Sequence, residues 1–343
     1  MNVAIVGATG AVGIEALRIL EQRRFPIDEL RLFASPRSAG TRLSFRGRGL
    51  DVAPLSPACF DGIDLAFFAA GAAVSRDYGP LVIRAGAVVI DNSSAFRMAP
   101  DVPLVVPEIN PDALRRGAPL IANPNCSTII LLMAVAPLHR VARVRRVVVS
   151  TYQAVSGAGR QAMRELEDQS RAALDGRPVE PRVLPHVCAF NLFSHNSDIG
   201  ADGANVEERK MAEETRKILA DDGIGVAATC IRVPVMRAHS ESILLEFERP
   251  LSPEQAREIL SAAPGVRVVD DRAANRFPMP IEAAGGDEVL VGRLRSDPSR
   301  GDGRGLLLFA CGDQLRKGAA LNAVQVAEHL PLPGPRISKA VAQ

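Results

Sequence analysis

An apolar run, a glycine-rich loop and an amphipathic segment follow one another near residue 1, and this order restricts the possible fold more than any other feature. Asn2 to Val6 is a short run rich in strand formers, Gly7 to Gly13 (GATGAVG) is the loop, and the amphipathic segment extends to about Arg24. In such a unit the glycines let backbone N–H groups approach a pyrophosphate, which then faces the positive end of the helix. The spacing is GxxGxxG where GxGxxG is usual, so an ordinary tight turn is the alternative. Within an α/β pattern we expect a dinucleotide site formed by Gly7, Thr9, Gly10, Ala11, Val12 and Gly13.

The loop after the second predicted strand indicates which dinucleotide is bound. That strand is expected over Glu29 to Ala34 and ends in Ser35-Pro36-Arg37-Ser38. An NAD site usually has an acidic residue here for the ribose 2′-hydroxyl, whereas an arginine accommodates a 2′-phosphate. The loop has no acidic residue, and Arg37 with Ser38 suits a phosphate. The sequence therefore favours NADP over NAD, with a solvated loop arginine as the alternative.

Further apolar runs predict the remaining strands of a doubly wound parallel sheet. They lie at about 64–70, 87–90, 104–106 and 120–122, and continuous apolar runs are typical of strands buried on both faces. Polar residues follow the 87–90 run as far as Arg97. Because ligands of open α/β sheets bind at the carboxyl ends of the strands, Arg97 is a candidate for anion binding. A structural ion pair explains Arg97 equally well.

The segment from Asn123 to Thr128 (NPNCST) precedes a long apolar run that predicts a helix closing near Pro137. Cys126 is therefore expected at a helix N-terminus, where unpaired N–H groups and the helix dipole stabilise a thiolate. A buried structural cysteine is the alternative. The 120–122 strand brings Cys126 to the sheet edge where the nucleotide is expected, which favours a catalytic role.

The second half of the chain predicts an α+β domain with a largely antiparallel sheet. A strand over 144–152 leads into Gln153 and the glycine turn Ser156-Gly157. Further strands are expected at about 225–233, 243–248, 288–295 and 305–311, with helices at 206–219 and at the end of the chain, up to about His329. The stretch 175–206 is irregular and polar.

Four polar side chains in this half are candidates for a site. Glu207 and Lys210 share one face of a helix, although an exposed ion pair is the simpler interpretation. Arg232 lies near a strand end, and His239 follows in the next turn, beside an arginine that could hold a carboxylate. A structural or solvated histidine is the usual alternative for a lone His.

Composition and charge exclude several classes of protein. Lys+Arg total 41 and Asp+Glu 39, a net charge of +2, which gives no field for nucleic acid. No apolar stretch is long enough to cross a bilayer, and the first residues lack the basic region of a signal peptide. The 5 cysteines form no CxxC pair, which argues against a disulfide framework and a zinc site. We expect a cytoplasmic protein with no metal.

These motifs, in this order, resemble the aspartate-β-semialdehyde dehydrogenase family over nearly the whole chain. The matching segments are the loop Gly7 to Gly13, Asn125-Cys126 within NPNCST, Gln153 with Ser156-Gly157, Glu207 with Lys210, Arg232 through His239-Ser240-Glu241-Ser242, and Asp313-Gln314 with the segment 316–320. The stretch 198–204 before Glu207 departs from the shorter turn expected for the family.

The resemblance implies a glyceraldehyde-3-phosphate-dehydrogenase-like fold and an activity. The implied reaction is the reversible reduction of L-aspartyl-4-phosphate to aspartate semialdehyde by NADPH, with release of phosphate, in the biosynthesis of lysine, threonine, methionine and diaminopimelate. The implied domains are 1–125 for NADP, completed by a helix at 314–330, and 126–313 for catalysis and dimerisation. A loose tail at 331–343 and a homodimer or pair of dimers complete this expectation.

The resemblance also implies roles for individual residues. Cys126 would be the nucleophile that forms a thioester, with a pKa lowered by its helix end and a nearby imidazolium. His239 would act as acid and base, Gln153 would orient the reacting end, and Asn125 would help to bind the oxyanion. Substrate contacts would come from Arg232 to the carboxylate, Glu207 to the ammonium, and Arg97 and Lys210 to the phosphate. Ser156, Gly157 and Gln314 would join the N-terminal loop, Arg37 and Ser38 as cofactor contacts.

Three other functions remain open at this stage. A reductase for N-acetylglutamyl phosphate would use the same chemistry, but its substrate has no cationic amine for Glu207. A non-catalytic nucleotide-binding paralogue would be expected to lose Cys126 or His239, and both are present. A cysteine hydrolase built on that pair would leave the glycine loop and Arg37 unexplained.

Overall fold

The computed structural model describes residues 1–330, without the side chains of Arg115 and Arg116. These residues form two compact units. The first comprises Met1–Pro107, Pro111–Asn123 and the chain from Asn322, and the second comprises Glu108–Asn110 and Pro124–Leu321. The loose tail predicted for 331–343 lies outside the described residues. Among residues 1–330, no helix combines the length and the apolar composition that a membrane crossing requires.

The first unit is built on a seven-stranded sheet. Its strands are β1 (Asn2–Val6), β2 (Glu29–Ala34), β3 (Arg42–Phe45), β4 (Arg48–Pro54), β5 (Leu65–Phe68), β6 (Val88–Asp91) and β7 (Leu120–Ala122), and its helices include α1 (Ala11–Gln22) and α2 (Ala72–Arg84). The strand order is β3-β4-β2-β1-β5-β6-β7, and the pairs are parallel except for the β3–β4 hairpin.

This order confirms the predicted Rossmann-like sheet. The strand order changes direction at β1, between β2 and β5, so the loop after β1 lies where such sheets bind their ligands. The predicted strand at 104–106 is wrong, because only Leu104 bridges to Ala122. Pro103 and Pro107 flank this run and have no N–H to donate to a strand ladder.

The second unit contains another seven-stranded sheet. Its elements are α3 (Cys126–Ala142), β8 (Val144–Gln153), α4 (Arg160–Leu174), β9 (Phe193–Ser194), α5 (Val206–Leu219), β10 (Gly225–Arg232), β11 (His239–Phe247), α6 (Pro253–Ser261), β12 (Val266–Val268), α7 (Pro280–Ala283), β13 (Val289–Ser296) and β14 (Gly305–Gly312); a π-helical turn (Arg316–Ala320) then leads into α8 (Leu321–Glu328).

The order of this second sheet is β12-β13-β14-β11-β8-β10-β9. Two of its pairs, β12–β13 and β8–β10, are parallel and the other four are antiparallel. The sheet is therefore mixed and largely antiparallel, as predicted.

Helix α3 is longer than the sequence predicts. It does not close near Pro137 but continues through it to Ala142. Its side chains are buried on nearly all sides, and packing of this kind outweighs the hydrogen bond that an internal proline removes.

The compact units differ from the predicted domains at both ends of the second one. Asn125 belongs with α3 because its side chain accepts the N–H groups of Ser127 and Thr128 at 3.0 and 3.2 Å. The segment 314–321, predicted to complete the first domain, belongs to the second unit. Contacts between α3 and the π-helical turn account for this assignment. The predicted functions of the two domains stay predictions here.

Candidate active site

Cys126 and His239 meet at the N-terminus of α3. Cys126 is the first residue of the helix, and its Sγ lies 3.3 Å from His239 Nε2. His239 Nδ1 accepts the backbone N–H of Ala154 at 3.0 Å. A neutral ring therefore carries its proton on Nε2 and directs it at the sulfur. Both the helix end and this N–H favour a thiolate at Cys126.

His239 is neutral at ordinary pH, which changes one expectation. Complete burial, reinforced by the Arg232 guanidinium, lowers the pKa of His239 well below its usual value. A second proton on Nδ1 would also point directly at the Ala154 N–H. The imidazolium implied by the family resemblance is therefore not the resting state, and the ring is better suited to donate a hydrogen bond.

Glu207 and Lys210 form a largely buried pair. Glu207 is 4% exposed, its Oε2 accepts from Lys210 Nζ at 3.0 Å, and its Oε1 accepts from Asn125 Nδ2 at 2.6 Å. Burial raises the pKa of the Glu207 carboxyl, but Lys210, His195 and the Asn125 amide outweigh it and bring the pKa to about 2. The simpler interpretation of an exposed pair is therefore wrong for Glu207, whose ionised carboxylate is kept out of water.

Asn125 connects the helix to this carboxylate. Its Oδ1 caps α3 and its Nδ2 donates to Glu207, while its backbone N–H donates to Glu214 Oε2 at 2.6 Å. These contacts hold Cys126 and Glu207 in a fixed relation. They make Asn125 a positioning residue, and because its amide NH2 has a second N–H, the oxyanion role expected from the resemblance stays a prediction.

Arg232 is 2% exposed and lies at the end of β10. Its Nη1 donates to the carbonyl groups of Gln153 (3.2 Å) and Ala154 (2.5 Å). Its Nη2 donates to His195 Nε2 (3.0 Å) and Asn196 Oδ1 (2.8 Å). Its Nε has no acceptor among the described residues. A buried guanidinium with one open donor beside Nη2 suits a carboxylate ligand.

Gln153 is buried at the end of β8 and held by two hydroxyl groups. Its Nε2 donates to Ser127 Oγ at 2.9 Å and to Thr151 Oγ1 at 3.3 Å. Ser127 belongs to the first turn of α3, so Gln153 is fixed close in the fold to the cysteine.

Two glycines lie directly against the Cys126–His239 pair. A Cβ on Gly157 would lie 3.2 Å from His239 Cε1, and one on Gly318 would lie 3.0 Å from Cys126 Cβ. Beside Gly157, Ser156 Oγ accepts from Gln314 Nε2, and Gln314 Oε1 accepts the Ala238 N–H at 2.9 Å. These contacts brace the backbone just before His239.

Glu241 lies on β11 two residues after His239 and carries no charge. It is completely buried, neither carboxyl oxygen has a hydrogen-bond partner in the part of the chain that the structure describes, and burial raises the pKa of Glu241 well above its usual value. A protonated Glu241 offers the substrate no charge, whereas the Glu207 carboxyl is ionised.

The glycine loop of the first unit fits a dinucleotide phosphate. Gly7 has a φ of +89°, and a Cβ there would lie 2.5 Å from the Ala69 carbonyl oxygen. A Cβ on Gly13 would lie 2.3 Å from the Gly7 oxygen. At Gly7 and Gly13 the loop therefore has no room for a side chain. Helix α1, of 12 residues, begins directly after Gly10, which makes no side-chain capping hydrogen bond. The first-turn N–H groups of Ala11, Val12 and Gly13 have no partner within the helix.

The other candidates of the first unit differ in exposure. Arg37 is exposed in a short 3₁₀ turn, Pro36–Ser38, after β2, and no salt bridge of the described residues involves it. Arg97 is 7% exposed, and its guanidinium donates to the carbonyl groups of Asn123 and Asn92, each at 2.9 Å. These two contacts to backbone carbonyl groups fix the position of the Arg97 guanidinium.

Sequence reasoning missed several residues of the site. His195 and Asn196 reach Arg232 from the irregular stretch 175–206, and Gly318, which lies in the matching segment 316–320, contacts Cys126 and not only a cofactor site. No periodicity or glycine motif marks these positions. A histidine in an otherwise polar excursion was the one available signal.

A Rossmann-like sheet followed by a second unit with a mixed sheet is the architecture of the semialdehyde dehydrogenases, a class of oxidoreductases. Residues 2–117 match the family model described as semialdehyde dehydrogenase, NAD binding domain, and residues 135–317 match the one described as semialdehyde dehydrogenase, dimerisation domain. The chain belongs, more narrowly, to the aspartate-semialdehyde dehydrogenase family.

The relatives that support this assignment match over nearly their whole length. Proteins named aspartate-semialdehyde dehydrogenase are 53% identical in Synechocystis sp. and 51% identical in Aquifex aeolicus, each covering 96% of this chain and 97% of the relative. The crystal structure of aspartate semialdehyde dehydrogenase II from Vibrio cholerae, complexed with ASA, is 42% identical with a TM-score of 0.92, covering 96% of this chain and 97% of that one. The predicted family is confirmed.

Proposed function

We propose that this chain catalyses the reversible NADPH-dependent reduction of L-aspartyl-4-phosphate to L-aspartate-4-semialdehyde, with release of phosphate. The observation that carries the proposal is the 3.3 Å contact between Cys126 Sγ and His239 Nε2 at a helix N-terminus, in the same unit as buried Glu207 and Arg232. The product is a precursor for lysine, threonine, methionine and diaminopimelate.

Cys126 supplies the nucleophile. The thiolate attacks the acyl carbonyl, a carbon–sulfur bond forms, and the carbon–oxygen bond to phosphate breaks with its electron pair on the leaving phosphate. The resulting thioester divides one difficult reduction into two easier steps. A proton taken up from solvent completes the balance on the released phosphate.

NADPH fits the glycine cradle of the first unit, where Gly7, Thr9, Gly10, Ala11, Val12 and Gly13 would hold the pyrophosphate and Arg37 with Ser38 the 2′-phosphate. When bound, it supplies the hydride that reduces the thioester carbonyl. Ser156, Gly157 and Gln314 are the proposed cofactor contacts of the second unit. Their support is the close approach of the Gly157 backbone to the His239 ring.

His239 stabilises the oxyanion that forms at the reacting carbon. Its neutral ring presents Nε2–H beside Sγ, from where it can donate to the oxyanion. When the carbon–sulfur bond breaks, the oxyanion becomes the aldehyde oxygen and the electron pair returns to the thiolate. This role needs no proton transfer from the imidazole. Gln153, fixed by Ser127 and Thr151, orients the reacting end.

Charged side chains select the substrate. Arg232 binds the α-carboxylate, and the ionised Glu207 pairs with the α-ammonium. Lys210 and Arg97 hold the phosphate. Each assignment matches the charge of the residue to that of one end of aspartyl phosphate.

The buried charge on Glu207 argues against N-acetylglutamyl phosphate as substrate. An acetamide has no positive charge to pair with the ionised Glu207 carboxylate, whose pKa is about 2, whereas the α-ammonium of aspartate semialdehyde has one. The comparison of kcat/KM for aspartate semialdehyde and N-acetylglutamate semialdehyde decides between them. A preference for the acetylated aldehyde would refute the proposal.

The direct test runs the reaction in the oxidative direction. Purified protein with aspartate semialdehyde, phosphate and NADP is expected to form NADPH, followed by absorbance. No NADPH formation by correctly folded protein would reject the proposed function, and NADPH formation that does not require phosphate would reject the acyl phosphate as product.

The proposed assembly is a homodimer or a homotetramer in the cytoplasm. The match of residues 135–317 to a dimerisation domain supports self-association. The 5 free cysteines, of which Cys188, Cys230 and Cys311 are buried, suit a reducing compartment. Light scattering on the purified protein measures the oligomeric state, and a monomer at micromolar concentration would contradict this part.

Replacing Arg37 by aspartate should impair the use of NADP far more than that of NAD. The change removes a cation from the proposed 2′-phosphate contact and adds a repelling charge, so we expect the KM for NADP to rise about 100-fold. Steady-state kinetics with both cofactors measure the difference. Arg48→Asp, at an exposed arginine of the same unit, is the matched control. Equal losses with NAD and NADP would remove Arg37 from the cofactor site.

The pH dependence of kcat should show that His239 works as a neutral ring. Burial lowers the pKa of His239 well below 6.5. The ring is therefore neutral at any pH above the lowered pKa, and the contribution of the neutral ring to activity is lost as the pH falls through that pKa. We expect no His239 limb between about pH 6 and 8. A wild-type inflection near 6.5 that His239→Gln removes would show instead that the ring titrates during catalysis.

A further inference from the structure

The Arg232 guanidinium is held on two sides, and the histidine among its partners has no role in the mechanism above. Nη1 donates to two backbone carbonyl groups. Nη2 donates to His195 Nε2 at 3.0 Å and to Asn196 Oδ1 at 2.8 Å. The remaining donor, Nε, is buried and has no acceptor in residues 1–330.

His195 must be an acceptor in this contact. A guanidinium only donates, so His195 Nε2 carries no proton and the neutral ring has its proton on Nδ1. Nδ1 lies 3.2 Å from Ser197 Oγ, which therefore accepts. The same oxygen accepts the backbone N–H of Glu207 at 3.3 Å. Arg232 is thereby connected through His195 and Ser197 to the first turn of α5, which carries Glu207.

The charge state of His195 agrees with this tautomer. Burial is the main reason that the pKa of His195 is lowered to about 4; Glu207 opposes this shift, and Arg232 and Lys210 contribute to it. The ring is therefore neutral at pH 7.

Asn196 differs from His195 although both contact Nη2. Its side chain is exposed, and the contact with Arg232 is the one hydrogen bond its amide makes among the described residues. The His195 ring is braced from its far side by Ser197. The amide can consequently leave Nη2 at little cost, whereas the imidazole cannot.

We propose that His195 is a positioning residue for substrate binding: its neutral ring fixes Arg232 so that the Nε–Nη2 edge receives the α-carboxylate, and Asn196 yields its place on Nη2. The inference rests on the proposed role of Arg232. The edge already offers one open donor at Nε, and a carboxylate oxygen that replaces the Asn196 amide completes a two-point contact. Two parallel N–H bonds are the preferred geometry for arginine and carboxylate.

The experiment compares His195→Ala, His195→Gln and Asn196→Ala in the oxidative reaction. His195→Ala should raise the KM for aspartate semialdehyde about tenfold or more, the expected loss for a hydrogen bond to a charged group, with little change in kcat or in the KM for NADP. His195→Gln supplies an oxygen near the position of Nε2 and should restore most of the affinity. Asn196→Ala removes the amide that competes with the substrate carboxylate for Arg232 Nη2 and should lower the KM for aspartate semialdehyde. His329→Gln, at an exposed histidine far from these residues in sequence, is the control expected to change nothing.

A second probe separates positioning from a merely structural role. 3-Aminopropanal has the aldehyde and the ammonium of the substrate but no carboxylate, and its affinity is measured as a substrate or as a competitive inhibitor. His195→Ala should leave this affinity unchanged. The inference would be overturned if His195→Ala weakened the binding of both aldehydes equally. It would also be overturned if His195→Gln melted like wild type but did not regain affinity for aspartate semialdehyde, or if Asn196→Ala raised the KM for that substrate. Wild-type protein that forms no NADPH would instead reject the proposed function, so the two failures are distinct.

Discussion

Replacing Cys126 by alanine is expected to abolish turnover and leave the affinity for NADP unchanged. The sulfur is the atom that carries the acyl group, and alanine offers no electron pair to form the thioester. Loss of a covalent nucleophile lowers kcat by about 10⁴-fold or more in comparable enzymes. The proposed glycine cradle consists of residues of the first unit, so we expect the affinity for NADP to depend little on Cys126.

The measurement pairs an activity assay with a binding assay. NADPH formation gives kcat, and calorimetry gives the NADP affinity, because the chain has 0 tryptophans to report binding by fluorescence. Cys59→Ala is the matched control, since Cys59 is also a free, partly exposed cysteine. Activity in Cys126→Ala above the background of the control preparation would take the nucleophile role away from Cys126.

The parts of the site that the sequence predicted all have a local signal. Cys126 follows Pro124-Asn125 and precedes an apolar run, which together mark a helix N-terminus and its cap. Glu207 and Lys210 are three residues apart on a helix, so their contact follows from helical geometry. Strand pairing brings together residues that no local pattern connects. Strand β11 pairs with β8, and this places His239 near Gln153.

The chemistry of the site depends on contacts that local patterns do not contain. Nothing in the sequence indicates that the Ala154 N–H donates to His239 Nδ1, 85 residues away in the chain. This hydrogen bond is what places the ring proton on Nε2. Complete burial of His239 and Glu207 is likewise a property of the packed unit. The predicted residues were therefore easier to find than their protonation states.

Irregular segments account for the rest of what sequence reasoning missed. His195 and Asn196 follow a strand of 2 residues, and such a short element leaves no periodic signature. The end of α3 was misplaced because proline is a helix terminator in most settings, yet Pro137 lies inside a helix that neighbouring residues bury on nearly all sides. In α3, tertiary packing outweighs the local preference of proline to end a helix.

A positive charge at position 232 does not bind the substrate carboxylate well without the planar guanidinium. Arg232→Lys is therefore expected to raise the KM for aspartate semialdehyde about 100-fold. An ammonium group cannot reach the two carbonyl groups, His195 and the substrate carboxylate at once, and it lacks the planar fork that binds two oxygens. Each hydrogen bond to a charged group that is lost weakens binding by about 1.5–3 kcal/mol.

The same substitution should also lower the free energy of unfolding, because Arg232 is 2% exposed and the Ala154 carbonyl would lose its donor. An unsatisfied buried acceptor costs about 1–3 kcal/mol, which urea denaturation resolves. Arg146→Lys is the matched control, since Arg146 is exposed on β8 and pairs with Glu246 at 2.7 Å, where lysine can replace it. A KM for aspartate semialdehyde that is unchanged in Arg232→Lys would mean that the carboxylate binds elsewhere. A loss of stability without a change in KM would make Arg232 a structural residue, and the connection through His195 and Ser197 to Glu207 would then serve the packing of α5 and not the recognition of substrate.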